Sequence, residues 1–397
     1  MRILFLAPQP FFRVRGTPIN VRNMLTALSR AGHEMDLICY PLGEDVVIPR
    51  VRILRVPRLP GIRDVKVGPS LAKIPLDFLM FWKALGCCLR RRYDVIHAVE
   101  EAGFFAAWLS RLFRCALIYD MDSFISDQLR YSGFTSSRPL LWLAEKLEQS
   151  AMRRSAFVLT VCDSLSDAVR ARSPGARVVQ IEDAPIEEAF REDAAGADRI
   201  RGELGLGAGP VVLYTGNFES YQGVDLLLKA VAIARRARSD LRCVLAGGEA
   251  DQVARMKELA GRLDLAGSSF FAGKRPMEEM PAFLTLASVL VSPRTQGTNT
   301  AMKIYNYMQS GKPIVATRLA THTQALDDTC AVLVRSEPDD LAAGLLRLIE
   351  DPGFARALAG AAARRVAERY SLARFKQRLV EAYESLPRRA SPRGRAR

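Results

Sequence analysis

Short, unbroken apolar runs alternate with amphipathic helical stretches along the whole chain, and nothing else in the sequence restricts the fold as much. A run of four to seven apolar residues without polar alternation must be covered on both faces. Parallel strands joined by crossover helices are covered in that way. In the first half, such runs lie at 2–7 (RILFLA), 35–40 (MDLICY), 51–56, 94–99 (DVIHAV), 116–120 (ALIYD), 157–161 and 177–181. Helical patterns over 19–31, 72–91, 101–113, 139–154 and 164–171 separate them. The second half repeats the plan, with strands at 210–216, 242–247, 268–273, 288–293, 313–317 and 331–335. Its helices read at 223–237, 251–263, 276–286, 301–310, 322–327, 338–350, 353–369 and 371–386. Two doubly wound parallel-sheet α/β domains in tandem account for both halves, and 397 residues suffice for two. The segment 185–209 is acid-rich, then glycine-rich, and marks the boundary. It gives an N-terminal domain of 1–188, with the helix 371–386, and a C-terminal domain of 195–370. The tail 387–397 has Pro, Gly and Arg but no apolar face, which predicts disorder.

Charge narrows the partners. The net charge is +14. Residues 50–92 carry eleven basic and two acidic side chains, and 387–397 carry five arginines and no acid, so these two segments hold the whole excess. Such local charge beside Phe78, Phe81 and Trp82 suits an anionic membrane surface as well as a core helix with a solvated rim. Nucleic acid is not expected, because no helix-turn-helix, zinc or RNA-platform motif is present. The seven cysteines form no C-x-x-C pair and read as reduced thiols of a cytoplasmic protein. The opening MRILFLAPQPFF reads as a strand rather than a signal peptide, and no uncharged apolar run is long enough to span a membrane.

Most catalytic signatures are missing. There is no phosphate-loop motif, no nucleophile elbow, and no metal-ligand spacing among His33, His97 and His322, so neither a metal nor a cofactor is expected. What remains is a set of polar loops at strand ends. After the first strand, Gly16 opens a turn into a helix whose free N–H groups suit a phosphate or sugar hydroxyl. LYTGNFESYQG brings Asn217, Glu219 and Gln222 to the end of the second half's first strand, where open α/β sheets bind ligands. The strongest segment is SPRTQGTNTAMKIYNYMQSGKPIVAT. Arg294, Thr298, Asn299 and Thr300 crowd one strand end, and Lys303 lies in the first turn of the next helix. Two cations at a helix N-terminus fit a diphosphate. ALIYDMDSF places Asp120 and Asp122 at another strand end, with His97 one strand away. Each is a candidate to orient or deprotonate an acceptor hydroxyl, and each equally suits a structural cap or core role.

Taken in order, RILFLAP, RAGHEMDLICY, RYDVIHAV, YTGNFESYQGVDLLLKAV, VLAGGEAD, FFAGKRPMEEMPAFL and SGKPIVAT resemble the retaining, family 4-type glycosyltransferases of the GT-B fold. The resemblance covers nearly all of 1–386. It implies two Rossmann-like domains facing a central cleft, with a nucleotide-sugar donor on the C-terminal domain and a glycan or lipid-linked acceptor on the N-terminal one. It further implies metal-independent transfer that keeps the anomeric configuration, and a last helix that crosses back onto the N-terminal domain. Residue by residue, the family's Arg and Lys after the second domain's first strand fall on neutral Asn217 and Gln222. Its two glutamates fall on Thr298 and Asn306, and its N-terminal His falls on Asp122. The expected assignment follows. Arg294 and Lys303 hold the diphosphate. Gly16, Asn217, Gln222, Gly248 and Thr300 line the donor site, and Thr298 and Asn299 meet the sugar. Asn306 meets the ribose, Lys274 and Arg275 lie near the base, and Asp122, Asp120 and His97 face the acceptor. The alternatives in view are a GT-B epimerase or hydrolase, and a non-catalytic nucleotide-sugar-binding protein that kept only the fold.

Overall fold

The computed structural model describes residues 1–13, 16–65, 68–131, 134–186 and 189–387. The basic tail expected to be disordered therefore lies, except for Pro387, outside the described residues. The chain divides into two compact units, Met1–Glu182 with Ala373–Arg397, and Asp183–Leu372.

The first unit is built on seven parallel strands: β1 (Arg2–Pro10), β2 (Glu34–Tyr40), β3 (Val51–Arg55), β4 (Val95–Val99), β5 (Ala116–Met121), β6 (Phe157–Thr160) and β7 (Val178–Gln180). Their order is β3-β2-β1-β4-β5-β6-β7. Alternation along each strand splits the side chains between two faces. Leu4, Leu6, Ile38, Ile96, Ala98, Leu117 and Tyr119 share one face with the inward residues of helices Lys73–Arg90, Ala102–Phe113 and Arg138–Arg154. Phe5 and His97, in register on β1 and β4, point the other way and meet Tyr383 of the last helix, Leu372–Glu384.

The second unit has six parallel strands: β8 (Val211–Thr215), β9 (Arg242–Ala246), β10 (Ser269–Gly273), β11 (Val289–Ser292), β12 (Ile314–Thr317) and β13 (Val332–Val334), in the order β10-β9-β8-β11-β12-β13. One face, with Val211, Leu213, Val244 and Leu290, packs under helices Ala194–Glu203, Met280–Leu286, Met302–Gln309 and Pro352–Arg369. The other, with Val212, Tyr214, Leu245 and Val291, packs under Val224–Ala237 and Pro338–Glu350. Both units are thus doubly wound parallel sheets. In each, the strand order reverses at one place: between β1 and β4 in the first, between β8 and β11 in the second.

Every strand read from the sequence is present, and the differences fall on weakly patterned helices. The stretch 185–209, read as the boundary, lies within the second unit, which begins at Asp183, and contains the helix Ala194–Glu203. Its sequence, AAGADRIRGE, has only Ile200 as a large apolar residue, so it lacks a visible apolar stripe. The helix is held instead by the Asp193 side chain, which accepts the Gly196 N–H at 2.8 Å, and by close packing that places a Cβ at Gly196 2.7 Å from Ala282 Cβ. A short helix at Ile125–Tyr131 was also not foreseen, and the helix expected at 322–327 is the single turn Ala320–Thr323.

Candidate active site

In open α/β sheets, ligands bind at the carboxyl ends of the strands where the order reverses. In the second unit this point lies past Thr215 of β8 and Ser292 of β11. The chain brings Gln222, Arg294 and Lys303 together there. Lys303 enters from the first turn of helix Met302–Gln309 and donates from Nζ to Gln222 Oε1 at 3.1 Å. Its ammonium lies 3.9 Å from the centre of the Tyr214 ring, a cation–π contact. Gln222 is buried, with its Oε1 3.3 Å from the Tyr214 hydroxyl oxygen. The backbone leaves room for this group: a Cβ on Gly216 would come within 3.0 Å of Lys303 Nζ, and one on Gly223 within 1.9 Å of Pro293 O. Glycine at 223, with φ of 70°, also lets the 220s loop close over the end of β11.

Arg294 is buried beside it. Its Nη1 donates to Thr321 Oγ1 at 2.7 Å and to Asn299 O at 3.3 Å, and its Nε has no partner. Among the described residues no carboxylate lies within ion-pair distance of Arg294 or Lys303. Burial pushes the Lys303 pKa well below the ordinary lysine range, and repulsion from Arg294 pushes it the same way. Burial also lowers the Arg294 pKa. His322 is enclosed beneath the pair, its Nδ1 donating to Thr317 O at 2.7 Å while Nε2 accepts from Ser292 Oγ at 2.8 Å. Burial first, then the two cations, holds its pKa down to about 3, so it is a neutral strut. Two desolvated cations, Arg294 buried and Lys303 partly buried, are costly unless an anion arrives.

The other donor-side expectations divide. Thr298 is exposed, while the Asn299 carbonyl accepts from Thr321 Oγ1 at 2.6 Å, which fixes the loop around Arg294. Thr300 is buried under that loop. The Asn217 carbonyl accepts the Tyr214 hydroxyl at 2.6 Å, and Gly248 faces the Phe218 ring. Asn306 is held by its own unit, accepting the Ile186 N–H at 3.0 Å and donating to Met302 O at 3.4 Å. Lys274 pairs with Glu249 at 2.6 Å on the surface past β9 and β10. Arg275 turns away from the other candidates, toward Glu203 and Glu279, with its guanidinium over the Phe283 ring. Adjacent residues leaving a strand point to opposite sides, which separates Lys274 from Arg275.

In the first unit, Asp122 accepts from Thr17 Oγ1 at 2.9 Å, which joins the end of β5 to the start of helix Gly16–Arg30. Gly16 is exposed, and a Cβ there would meet nothing, so the turn does not demand glycine. Asp120 and His97 do not face outward. Alternation places both on the sheet face under the last helix. His97 Nε2 lies 3.1 Å from Asp120 Oδ2, its Nδ1 lies 2.6 Å from the Tyr383 hydroxyl, and its ring stacks on Phe5 with centroids 4.0 Å apart. With a carboxylate at Nε2, that nitrogen carries the proton and Nδ1 accepts from Tyr383. The three are fully buried, so this is a core network that anchors the last helix.

Reading the sequence missed a polar cluster at the first unit's own reversal point. Glu100 and Glu101 follow β4 directly, and Lys73 Nζ pairs with Glu101 at 2.7 Å. Asp77 accepts the Tyr40 hydroxyl at 2.6 Å. Burial, then the Glu101 charge, raises Asp77 to about 8 and Glu100 to about 7. Glu100 has φ of 46°, a strained value for a side chain of its size. The available signal was the pair of glutamates directly after VIHAV, and Lys73 and Asp77 in the first turns of a largely apolar helix.

Comparison with known proteins agrees with this architecture. Residues 15–183 match the model of the glycosyl transferase 4-like domain, and 209–351 match glycosyl transferases group 1. The chain is 26% identical over 300 residues to alpha-D-kanosaminyltransferase of Streptomyces kanamyceticus, covering 72% of this chain and 74% of that protein. It is 25% identical over 399 residues to phosphatidyl-myo-inositol mannosyltransferase of Mycolicibacterium smegmatis, covering 97% and 94%. The structure of Anabaena HepE in complex with UDP-glucose superposes with a TM-score of 0.73 at 19% identity, covering 97% of this chain and all of that one. With both family models matched in order and two Rossmann-like units present, the chain belongs to the family 4-type glycosyltransferases of the GT-B fold.

Proposed function

We propose that this glycosyltransferase moves a sugar from a nucleotide-sugar to a lipid-linked or polysaccharide-precursor acceptor, with retention of configuration and without a metal. The observation that carries this reading is the pair of Arg294 and Lys303 at the second unit's reversal point, desolvated and without a carboxylate partner among the described residues. A diphosphate would supply the missing negative charge. The pair would hold it more strongly as the sugar–phosphate bond breaks and charge grows on the leaving oxygen. The acceptor hydroxyl would form the new bond on the face the phosphate leaves, and its proton would pass to the departing phosphate oxygen. Thr298 and Asn299 border this place on the sugar side. Asp122 and the Glu100–Glu101 pair are the first unit's candidates for the acceptor. HepE supports a nucleotide-sugar donor by its bound UDP-glucose, and the mycobacterial mannosyltransferase supports a lipid acceptor by its name. An anionic membrane surface is the partner proposed for the basic segment 50–92 and the tail. An epimerase would need acids at the sugar, and the donor loop and the helix after it carry Thr298 and Asn306 instead.

Turnover of a nucleotide-sugar panel tests the reading. Arg294→Ala and Lys303→Ala are each expected to lower it by about 10²–10³-fold. Near-normal activity of both variants would overturn the assignment.

A further inference from the structure

The chain has three tryptophans, and all of them lie more than half exposed on one side of one sheet: Trp82 at 54%, Trp108 at 51% and Trp142 at 59%. They come from three successive helices, Lys73–Arg90, Ala102–Phe113 and Arg138–Arg154, which cover the same face of the first sheet. Beside them, Phe78, Leu112 and Leu143 are also exposed. The aromatic surface is continuous between the first two helices: the Phe81 ring touches Trp82 at 5.3 Å and Trp108 at 5.8 Å, and the Trp82 ring touches Phe78 at 6.0 Å. A monomer rarely leaves so much aromatic surface in water without a partner for it.

Charge says what the partner is. All three helices are crossovers between parallel strands, so they run in the same direction and end at the same edge of the sheet. At that edge they carry Arg90, Arg91 and Arg92, Arg111 and Arg114, and Arg153 and Arg154, of which Arg91 lies 3.9 Å from Asp36. The carboxylates within these helices do not offset them. Asp77 and Glu148 point inward and are hydrogen-bonded there, and Glu145 pairs with Arg130. By contrast, two of the basic residues of 50–72 are used inside the unit: Arg52 pairs with Asp36, and Arg55 donates to Leu42 O at 3.1 Å and to Glu44 O at 2.7 Å. A tryptophan-bearing apolar face with an arginine rim is the composition of a surface that sits at a bilayer's headgroup level.

We infer that the outer face of these three helices docks on an anionic lipid bilayer, with Trp82, Trp108 and Trp142 entering the headgroup region and the arginine edge meeting acidic headgroups. This deepens the membrane partner proposed above and moves its centre from the basic segment and tail to a three-helix surface. Because every tryptophan of the chain is on this surface, intrinsic fluorescence reads it directly. The full chain is mixed with vesicles of phosphatidylglycerol and brominated phosphatidylcholine, with vesicles of brominated phosphatidylcholine alone as control. Tryptophan emission is expected to be quenched by the anionic vesicles and much less by the neutral ones. Trp82→Ser, Trp108→Ser and Trp142→Ser are each expected to weaken vesicle affinity roughly tenfold, with the unfolding midpoint unchanged. Co-sedimentation with anionic vesicles without quenching would overturn this surface while leaving a membrane partner in place. No binding at all would overturn both. A dimer broken by the same substitutions, with no quenching, would assign the face to a second copy and overturn the proposal. None of these outcomes depends on turnover of a nucleotide-sugar, which separates them from the test of transferase activity.

Discussion

Two buried polar groups at strand ends, one in each unit, look alike in the sequence and differ in the structure. In the first unit, Asp120, His97 and Tyr383 bond in a chain, and Phe5 closes the stack. Each ring nitrogen of His97 has its partner inside the protein. In the second unit, Arg294 is buried and Lys303 partly buried, and they reach only neutral oxygens and aromatic rings. The first group is linked atom to atom, with only Asp120 Oδ1 lacking a hydrogen-bond partner. The second is two positive charges short of an anion. The lesson is that two like charges with no opposite charge beside them, rather than burial or residue type, mark a polar cluster built for a ligand.

The comparison breaks most readily on stability. His97→Ala removes a packed ring and leaves Asp120 and Tyr383 unpaired, so it is expected to cost about 2–4 kcal/mol in denaturant unfolding. Lys303→Ala removes an uncompensated charge and is expected to stay within about 1 kcal/mol of the parent or to gain stability. A costly Lys303→Ala beside a harmless His97→Ala would reverse the two roles. Tyr383→Phe sharpens the contrast on a smaller scale: loss of one buried donor to His97 Nδ1 is expected to cost about 1–2 kcal/mol.

The smallest expected effect is in pH. Lys303 has its folded-state pKa lowered, so between that value and the ordinary 10.5 the unfolded chain binds the proton that the folded chain does not. Its contribution to stability therefore rises as pH rises through this window. A bound diphosphate needs the ammonium, so nucleotide affinity should be greatest below the folded pKa and should decline as pH rises through it. Lys303→Arg should flatten that decline. A nucleotide affinity that rises with pH over this window, or an unchanged slope in the arginine variant, would remove Lys303 from the anion site.

The fold was legible because it rests on a strong local signal. Unbroken apolar strands such as VVLYT and VIHAV have no other economical place than a parallel sheet. The helix Ala194–Glu203 was not legible, because one isoleucine, a side-chain cap and a close helix contact do what an apolar stripe does elsewhere. In the site, the closeness of Arg294 and Lys303 in sequence was a usable clue. That Gln222 and Tyr214 hold the ammonium was not, since 81 residues separate Lys303 from Gln222. His97 and Asp120 misled because strand alternation decides which face a residue takes. A strand end reads the same in sequence whichever way its side chains turn. Arg275 misled similarly, since charge in a loop does not show that Glu203 and Glu279 have already claimed it.

The central claim is that the second unit's cation pair awaits a diphosphate. Calorimetric titration with UDP, GDP and ADP, on the parent chain and on the Arg294→Ala and Lys303→Ala variants, tests it most directly. At least one diphosphate is expected to bind the parent, with affinity falling about 100-fold in each variant at an unchanged fold. Equal affinity in all three proteins, or no diphosphate binding by the parent, would contradict the account.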